Sequence, residues 1–266
     1  MNTAEISNKI FCLKKSGKTI TNCFVNFSPA DASDYETISS EKTLIIILRE
    51  EKVNRVLFYT LDIHDLLELS DRFLTNDEYT MDIITKDPQQ FQNELVSNGF
   101  HGIAEMMRLA NNNVPEVLSA DSPVYKYLGN DYGVHAEPSD CDDISNTLWQ
   151  VFDTRISHLP TKDAIIASIK NDEFLIYRNQ ENKIASLLQT VAAPKKLYIN
   201  QVYNSDKPEI VHSMLLNRIR QYCGQGGKYI YSWVDKNNIA SIKFHQKYNM
   251  THDGLWDMVY VKNGRS

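Results

Sequence analysis

In DKNNIASIKFHQKYNM, residues 235 to 250, Asn238, Ser241 and His245 stand at i, i+3 and i+7. On a helix those intervals put the three on one face, while Ala240, Phe244 and Tyr248 form an apolar stripe at i, i+4 and i+8. Such a polar stripe faces either solvent or a ligand. Its reactive member is the imidazole, which near neutral pH can protonate a departing anion or carry a proton away from a nucleophile. The plain alternative is a surface histidine at the end of an exposed helix.

Other groups with chemical potential are weaker. His64 and Asp65 sit at the start of a helical pattern behind Asp62, where charged residues normally act as caps. Cys12, Cys23, Cys141 and Cys223 are far apart and lack CxxC spacing, so they read as reduced thiols rather than zinc ligands. The run Gly224-Gln225-Gly226-Gly227 follows a helix and precedes a strand, the reverse of a phosphate-binding loop, and is a connector. Tyr198, Tyr203, Tyr229 and Tyr231 fall in or beside strands and are expected to pack.

The elements that position these groups follow from periodicity. NKIFCLKKSGKTITNCFVNF reads as a hairpin around Ser16-Gly17, and TLIIILREEKVNRVLFYTL as a second hairpin. A helix follows behind Asp62, then the strand YTMDIITKD and a helix beginning near Pro88 and stopping at Gly99. Residues 111 to 140, rich in Asn, Asp, Pro, Ser and Gly, read as a linker. Beyond them come two helices, three strands, the helix PEIVHSMLLNRIRQYC, the strand KYIYSWV, the helix of residues 238 to 248 and a final strand, LWDMVYV. This order predicts an α/β chain of mixed, α+β type, built on a central mixed sheet flanked by helices. A strand–helix–strand–helix order recurs in the first half, which predicts two related domains, 1–133 and 134–266, the first a truncated copy.

That element order and NNIASIKFHQKYNM resemble the GNAT superfamily of N-acetyltransferases, whose comparable helix reads roughly N-x-x-A-x-x-x-Y-x-k-x-G-F. Asn238 matches the Asn that touches the coenzyme A arm, Ser241 replaces the small Ala, and His245 stands where a general-acid Tyr is usual. Asn249 and Met250 replace Gly-Phe, mild changes because Asn tolerates a left-handed helix end and Met fills apolar volume. The family's Q/R-x-x-G-x-G/A loop aligns with KPEIVHS, placing Lys207, Ile210, His212 and Ser213 against the pyrophosphate. There Ile210 and His212 would crowd the phosphates, and Asp206 and Glu209 have capping-box spacing that would occupy the helix amides.

The resemblance implies transfer of acetyl, or another acyl group, from acetyl-CoA to a primary amine of a small molecule or peptide by direct attack, without a metal. It implies that Gln201, Val202 and Tyr203 pair with the pantetheine arm and polarise the thioester, with His245 as the acid. Two alternatives stay open: a non-catalytic binding module of this fold that has lost its coenzyme, and a transferase that takes an amino acid from aminoacyl-tRNA.

Composition narrows the choice. The chain has 266 residues, 42% hydrophobic and 23% charged, with a formal charge of −6. It is long enough for a proper core, and its acidity argues against nucleic acid as a partner. No apolar run reaches the ~20 residues of a membrane helix. MNTAEISNKIF lacks the basic-then-apolar order of a secretion signal, so a cytoplasmic location is expected. Oligomeric state is open, a homodimer included.

Overall fold

The structure, a computed structural model, describes residues 1–23, 35–50, 53–73 and 77–263. Two compact units divide the chain: Met1–Met106 with Thr154–Ile156 and Leu255–Ser266, and Met107–Asp153 with Ser157–Gly254.

The first unit begins with helix α1 (Thr3–Ser16), where a strand had been expected. Asn2 decides this: its side chain accepts from the Glu5 amide at 3.0 Å, and Glu5 accepts from the Asn2 amide at 2.7 Å. That reciprocal cap satisfies two amides that a helix start otherwise leaves open. Ile6 and Leu13, seven residues apart, are then buried on one side of the helix. The expected return strand from Phe24 lies outside the described residues.

Strands β1 (Ile20–Thr21), β2 (Tyr35–Ser39), β3 (Thr43–Arg49) and β4 (Asn54–Thr60) precede helix α2 (Ile63–Ser70), capped by Asp62. Strand β5 (Glu78–Thr85), helix α3 (Gln92–Ser97) and strand β6 (His101–Asn111) follow. β3 pairs antiparallel with β2 and β4, whereas β4 and β5 run parallel, with α2 as the crossover between them. Period-2 alternation gives this sheet two apolar faces. Ile45, Ile47, Val56 and Phe58 pack with Leu66 and Leu67 of α2, and Leu44, Ile46 and Tyr59 pack with Ile6 and Leu13 of α1.

The second unit takes in the C-terminal end of β6 and the segment read as a linker. That segment is not a linker, because Val114, Val117 and Val124 are fully buried in the unit's core. Three aliphatic residues among polar ones suffice to fold short 3-10 turns, Val114–Leu118 and Tyr125–Tyr127, onto the helix they cover. Strand β7 (Val134–His135), helices α4 (Cys141–Val151) and α5 (Lys162–Lys170), and strands β8 (Phe174–Arg178), β9 (Ile184–Ala193) and β10 (Lys196–Asn204) come next. Helix α6 (Pro208–Gly224), strand β11 (Ile230–Asp235), helix α7 (Ile239–Gln246) and strand β12 (Thr251–Asn263) complete the chain.

β7 to β10 are antiparallel neighbours, and β10 and β11 are parallel, with α6 crossing between them. On one face of this sheet α6 buries Leu215, Ile219 and Tyr222 among Leu188, Leu197 and Ile199. On the other, Ile144 and Leu148 of α4 and Ile165 and Ile169 of α5 pack with Phe174, Ile176 and Leu187. β12 leaves this unit after Gly254, and its later residues pair antiparallel with β5, Trp256 opposite Thr85 and Asn263 opposite Glu78. The fold is a mixed α/β arrangement, sheet flanked by helices, as the sequence predicted.

Candidate active site at the β10–β11 opening

Two parallel strands joined by a helix normally continue their ladder along their length. β10 and β11 do not: the paired positions are Leu197 with Ile230 and Tyr198 with Tyr231. Immediately beyond, the Ser232 hydroxyl donates to the Ile199 carbonyl at 2.9 Å, so a side chain takes over from the ladder. The later groups of β10 that face β11 are left for another partner.

β10 also carries a bulge. Against β9 its register shifts between Ile199 and Gln201, leaving Asn200 as the extra residue, whose side-chain amide donates to Gln189 Oε1 at 2.8 Å. The extra residue reverses which way the following side chains point. Leu197 and Ile199 pack in the α6-side core; past the bulge Val202 packs there too, and Tyr203 joins the cluster on the α4–α5 side. Gln201 is 4% exposed, and its Oε1 has no hydrogen-bond partner. A buried amide oxygen without a donor is rare and marks a place where a donor is missing.

The start of α6 differs from expectation. Lys207, not Asp206, is the N-cap residue, and no side chain caps this helix. Asp206 Oδ1 instead accepts from the Lys207 amide at 2.7 Å, one residue too early for a capping box with Glu209. Pro208 at the first helical position causes the shift, since its ring disfavours helical dihedrals at the preceding residue and holds Lys207 extended, at ψ 133°. The first-turn amide of Glu209 is therefore not taken by the protein's own carboxylates.

Crowding of this turn by side chains is also not seen. Ile210, His212 and Ser213 are 3%, 1% and 0% exposed, Ile210 lying in the α6-side core and Ser213 bonding the Ile210 carbonyl at 2.9 Å. Their side chains are withdrawn from the turn, and the Ile210 amide is taken by the Lys207 carbonyl at 3.1 Å. Lys207 remains exposed at the helix start.

On α7, Asn238 is the N-cap, and its Oδ1 accepts from the Ser241 amide at 3.0 Å. Asn249 ends the segment at φ 54°, the left-handed turn for which Asn substitutes for Gly, and Met250 is fully buried. His245 is not on a solvated stripe: it is 2% exposed, its Nδ1 donates to the Ser241 carbonyl at 2.8 Å, and Ser241 Oγ lies 3.4 Å from the same nitrogen. Burial pushes its pKa down to about 4, against a smaller upward pull from the Ser241 bond. At neutral pH the ring is neutral, protonated on Nδ1, with a buried and unpartnered lone pair on Nε2. The single ring proton is engaged by the Ser241 carbonyl, so in this tautomer His245 has no free N–H for the acid role expected of it.

The sequence missed a second buried histidine. His212 is stacked between Tyr127 and Phe244, with ring centroids 5.0 and 4.8 Å away. Its Nδ1 lies 2.7 Å from the Tyr248 hydroxyl and its Nε2 3.3 Å from Lys247 Nζ. Lys247 can only donate, so Nε2 accepts and Nδ1 carries the proton. Burial first, then the charges of Lys247 and Lys126, push its pKa down to about 4. Spacing gave no signal, since His212 falls outside the stripe of Val211, Leu215, Ile219 and Tyr222.

Among the described residues, no group of three or more His, Cys, Asp or Glu could hold a metal ion, and no helix is long and apolar enough to cross a membrane.

No protein-family model and no curated sequence matches the chain. Solved structures do match its fold. A GNAT-family acetyltransferase from Colwellia psychrerythraea aligns at TM-score 0.56 and 11% identity over 99% of this chain and 97% of its own. A GNAT-family putative acetyltransferase from Novosphingobium aromaticivorans aligns at 0.53 and 12%, covering 86% and 92%. A tandem GNAT protein from the clavulanic acid biosynthesis pathway aligns at 0.51 and 10%, covering 88% and 85%. The fold is that of the GNAT N-acetyltransferases.

Proposed function

We propose that the chain is an acyl-CoA-dependent N-acyltransferase that moves acetyl from acetyl-CoA to a primary amine of a small molecule or peptide. The observation that carries this reading is the β10–β11 ladder, which stops after two pairs and is followed by the bulge at Asn200. An extended pantetheine arm has amide donors and acceptors suited to the edge that β10 turns toward β11, where Val202 presents its main chain while Gln201 and Tyr203 on either side turn theirs toward β9. Backbone donors fixed there would also polarise the thioester carbonyl. The amine nitrogen bonds to that carbon, the C–S bond breaks, and the coenzyme leaves as its thiol with a proton derived from the amine.

The pyrophosphate end fits in part. The uncapped first turn of α6 and the Lys207 ammonium suit an anion, whereas Asp206 and Glu209 oppose it. Asn238 and Ser241 line the neighbouring helix start in this reading, and His245 supports that helix from within. We further propose that the two units are related copies: β4, α2 and β5 in the first and β10, α6 and β11 in the second each form a parallel pair with a helical crossover.

A second reading, a non-catalytic binding module of the same fold, is favoured by the two carboxylates at the α6 start. Thiol release from acetyl-CoA in the presence of a panel of primary amines separates the two. Amine-dependent release supports the transferase; no release with any amine, together with no coenzyme binding, supports the module.

A further inference from the structure

Midway along α6 the second unit carries a cavity of about 350 Å³ that the transferase reading does not use. Its wall on α6 is formed by Met214, Asn217 and Arg218, at helical spacing on one face; Leu175 of β8 and the segment containing Asp131 and Val134 supply the rest. Ten residues of helix, roughly 15 Å, separate Arg218 from the α6 start.

The segment is held firmly over the helix. Asn217 Nδ2 donates to the Asn130 carbonyl at 2.9 Å, and Gly133 lies so close that a Cβ there would come within 2.6 Å of Met214 Cγ. Arg218 is also fixed, its Nε donating to Thr190 Oγ1 at 3.2 Å and its Nη1 to Gln221 Oε1 at 2.9 Å. Both partners are neutral. Among the described residues no carboxylate lies within ion-pair distance of this half-buried guanidinium; Asp172 and Glu173 act on it only from farther away. Charges withdrawn from water are ordinarily paired, so the cavity lacks an anion.

It lacks a donor as well. Asn217 Oδ1 is buried without a hydrogen-bond partner, and Asp131 lines the cavity on the segment that Asn217 anchors. His135, beside Asp172, and Gln221, bonded to Arg218, also line the cavity; Arg218, Asn217 Oδ1, Asp131 and an apolar lining of Val134, Leu175 and Met214 suit a zwitterion with a short apolar side chain. We propose that this cavity binds a free apolar α-amino acid, carboxylate to Arg218 and ammonium to Asn217 Oδ1 and Asp131. The inference is independent of whether the chain transfers acyl groups.

Calorimetric titration of the full chain with L-leucine tests it, beside isovalerate, which lacks the ammonium, and isoamylamine, which lacks the carboxylate. Saturable L-leucine binding is expected, at least roughly tenfold tighter than either analogue and weakened at least roughly tenfold by Arg218→Gln. Asp131→Asn, at an exposed position, should weaken L-leucine without weakening isovalerate, and keeps the test valid if Arg218→Gln misfolds. No heat with tens of millimolar L-leucine, equal binding of isovalerate, or affinity unchanged in Asp131→Asn would overturn the proposal.

Discussion

The Nδ1 of His245 donates to the carbonyl of Ser241, 2.8 Å away and one helical turn earlier. This bond fixes the tautomer and leaves Nε2 as a lone pair, and burial holds the pKa near 4. Acyl transfer is therefore expected to show no falling limb with a midpoint between pH 6 and 8 due to His245. A limb in that range, present in the wild type and absent from His245→Gln, would restore the imidazole as the general acid.

Both buried histidines bear on stability. His212 and His245 are held neutral at about pKa 4, against 6.5 for an unperturbed ring. Between those values the unfolded chain binds more protons than the folded one, so stability rises with pH. The contribution is fully present above pH 6.5 and is lost as pH falls toward 4, by up to roughly 3 kcal/mol per group. Urea midpoints measured from pH 7 to pH 4.5 should fall steadily, and less steeply in His212→Gln. An unchanged slope in that variant would mean His212 does not titrate in this window.

Ile210 was read from the sequence as an obstacle to phosphate, yet its side chain is buried in the α6-side core. Ile210→Gly should cost about 3 kcal/mol through lost packing and helix propensity. It should not tighten acetyl-CoA binding. Thermal unfolding and calorimetry on the same variant check both halves, and tighter binding would contradict the placement of this side chain.

Glu209 occupies the first turn of α6 without capping it. If pyrophosphate sits there, Glu209→Gln should tighten coenzyme binding by roughly 0.3–1 kcal/mol, an effect that diminishes with salt. Affinity unchanged at low ionic strength would place the phosphates elsewhere.

How much of this was legible in the sequence depends on what sets each feature. β3, β4, β5 and β8 to β12 and helices α2, α4, α5, α6 and α7 follow from periodicity, and the left-handed Asn249 from its residue type, whereas β2 and β7 lie in segments without a strand pattern. α1 was misread because its decisive signal is a two-residue cap, Asn2 with Glu5, ahead of a weak apolar stripe. Pro208 displaced the expected cap from Asp206 to Lys207 by keeping Lys207 out of the helical conformation, a local effect that spacing alone does not resolve. The bulge at Asn200 and the early end of the β10–β11 ladder arise from pairing between distant segments, and the burial of His212 and His245 from packing; neither leaves a mark in residue order.

The central claim is that the open edge of β10 receives an acyl-CoA arm. Amide hydrogen exchange at Val202, whose main chain faces β11, measured with and without saturating acetyl-CoA, tests it most directly. Exchange there should slow markedly, with an overall gain of roughly 2.7 kcal/mol in stability at a hundredfold excess over Kd. Unchanged exchange at the Val202 amide with millimolar acetyl-CoA would contradict it.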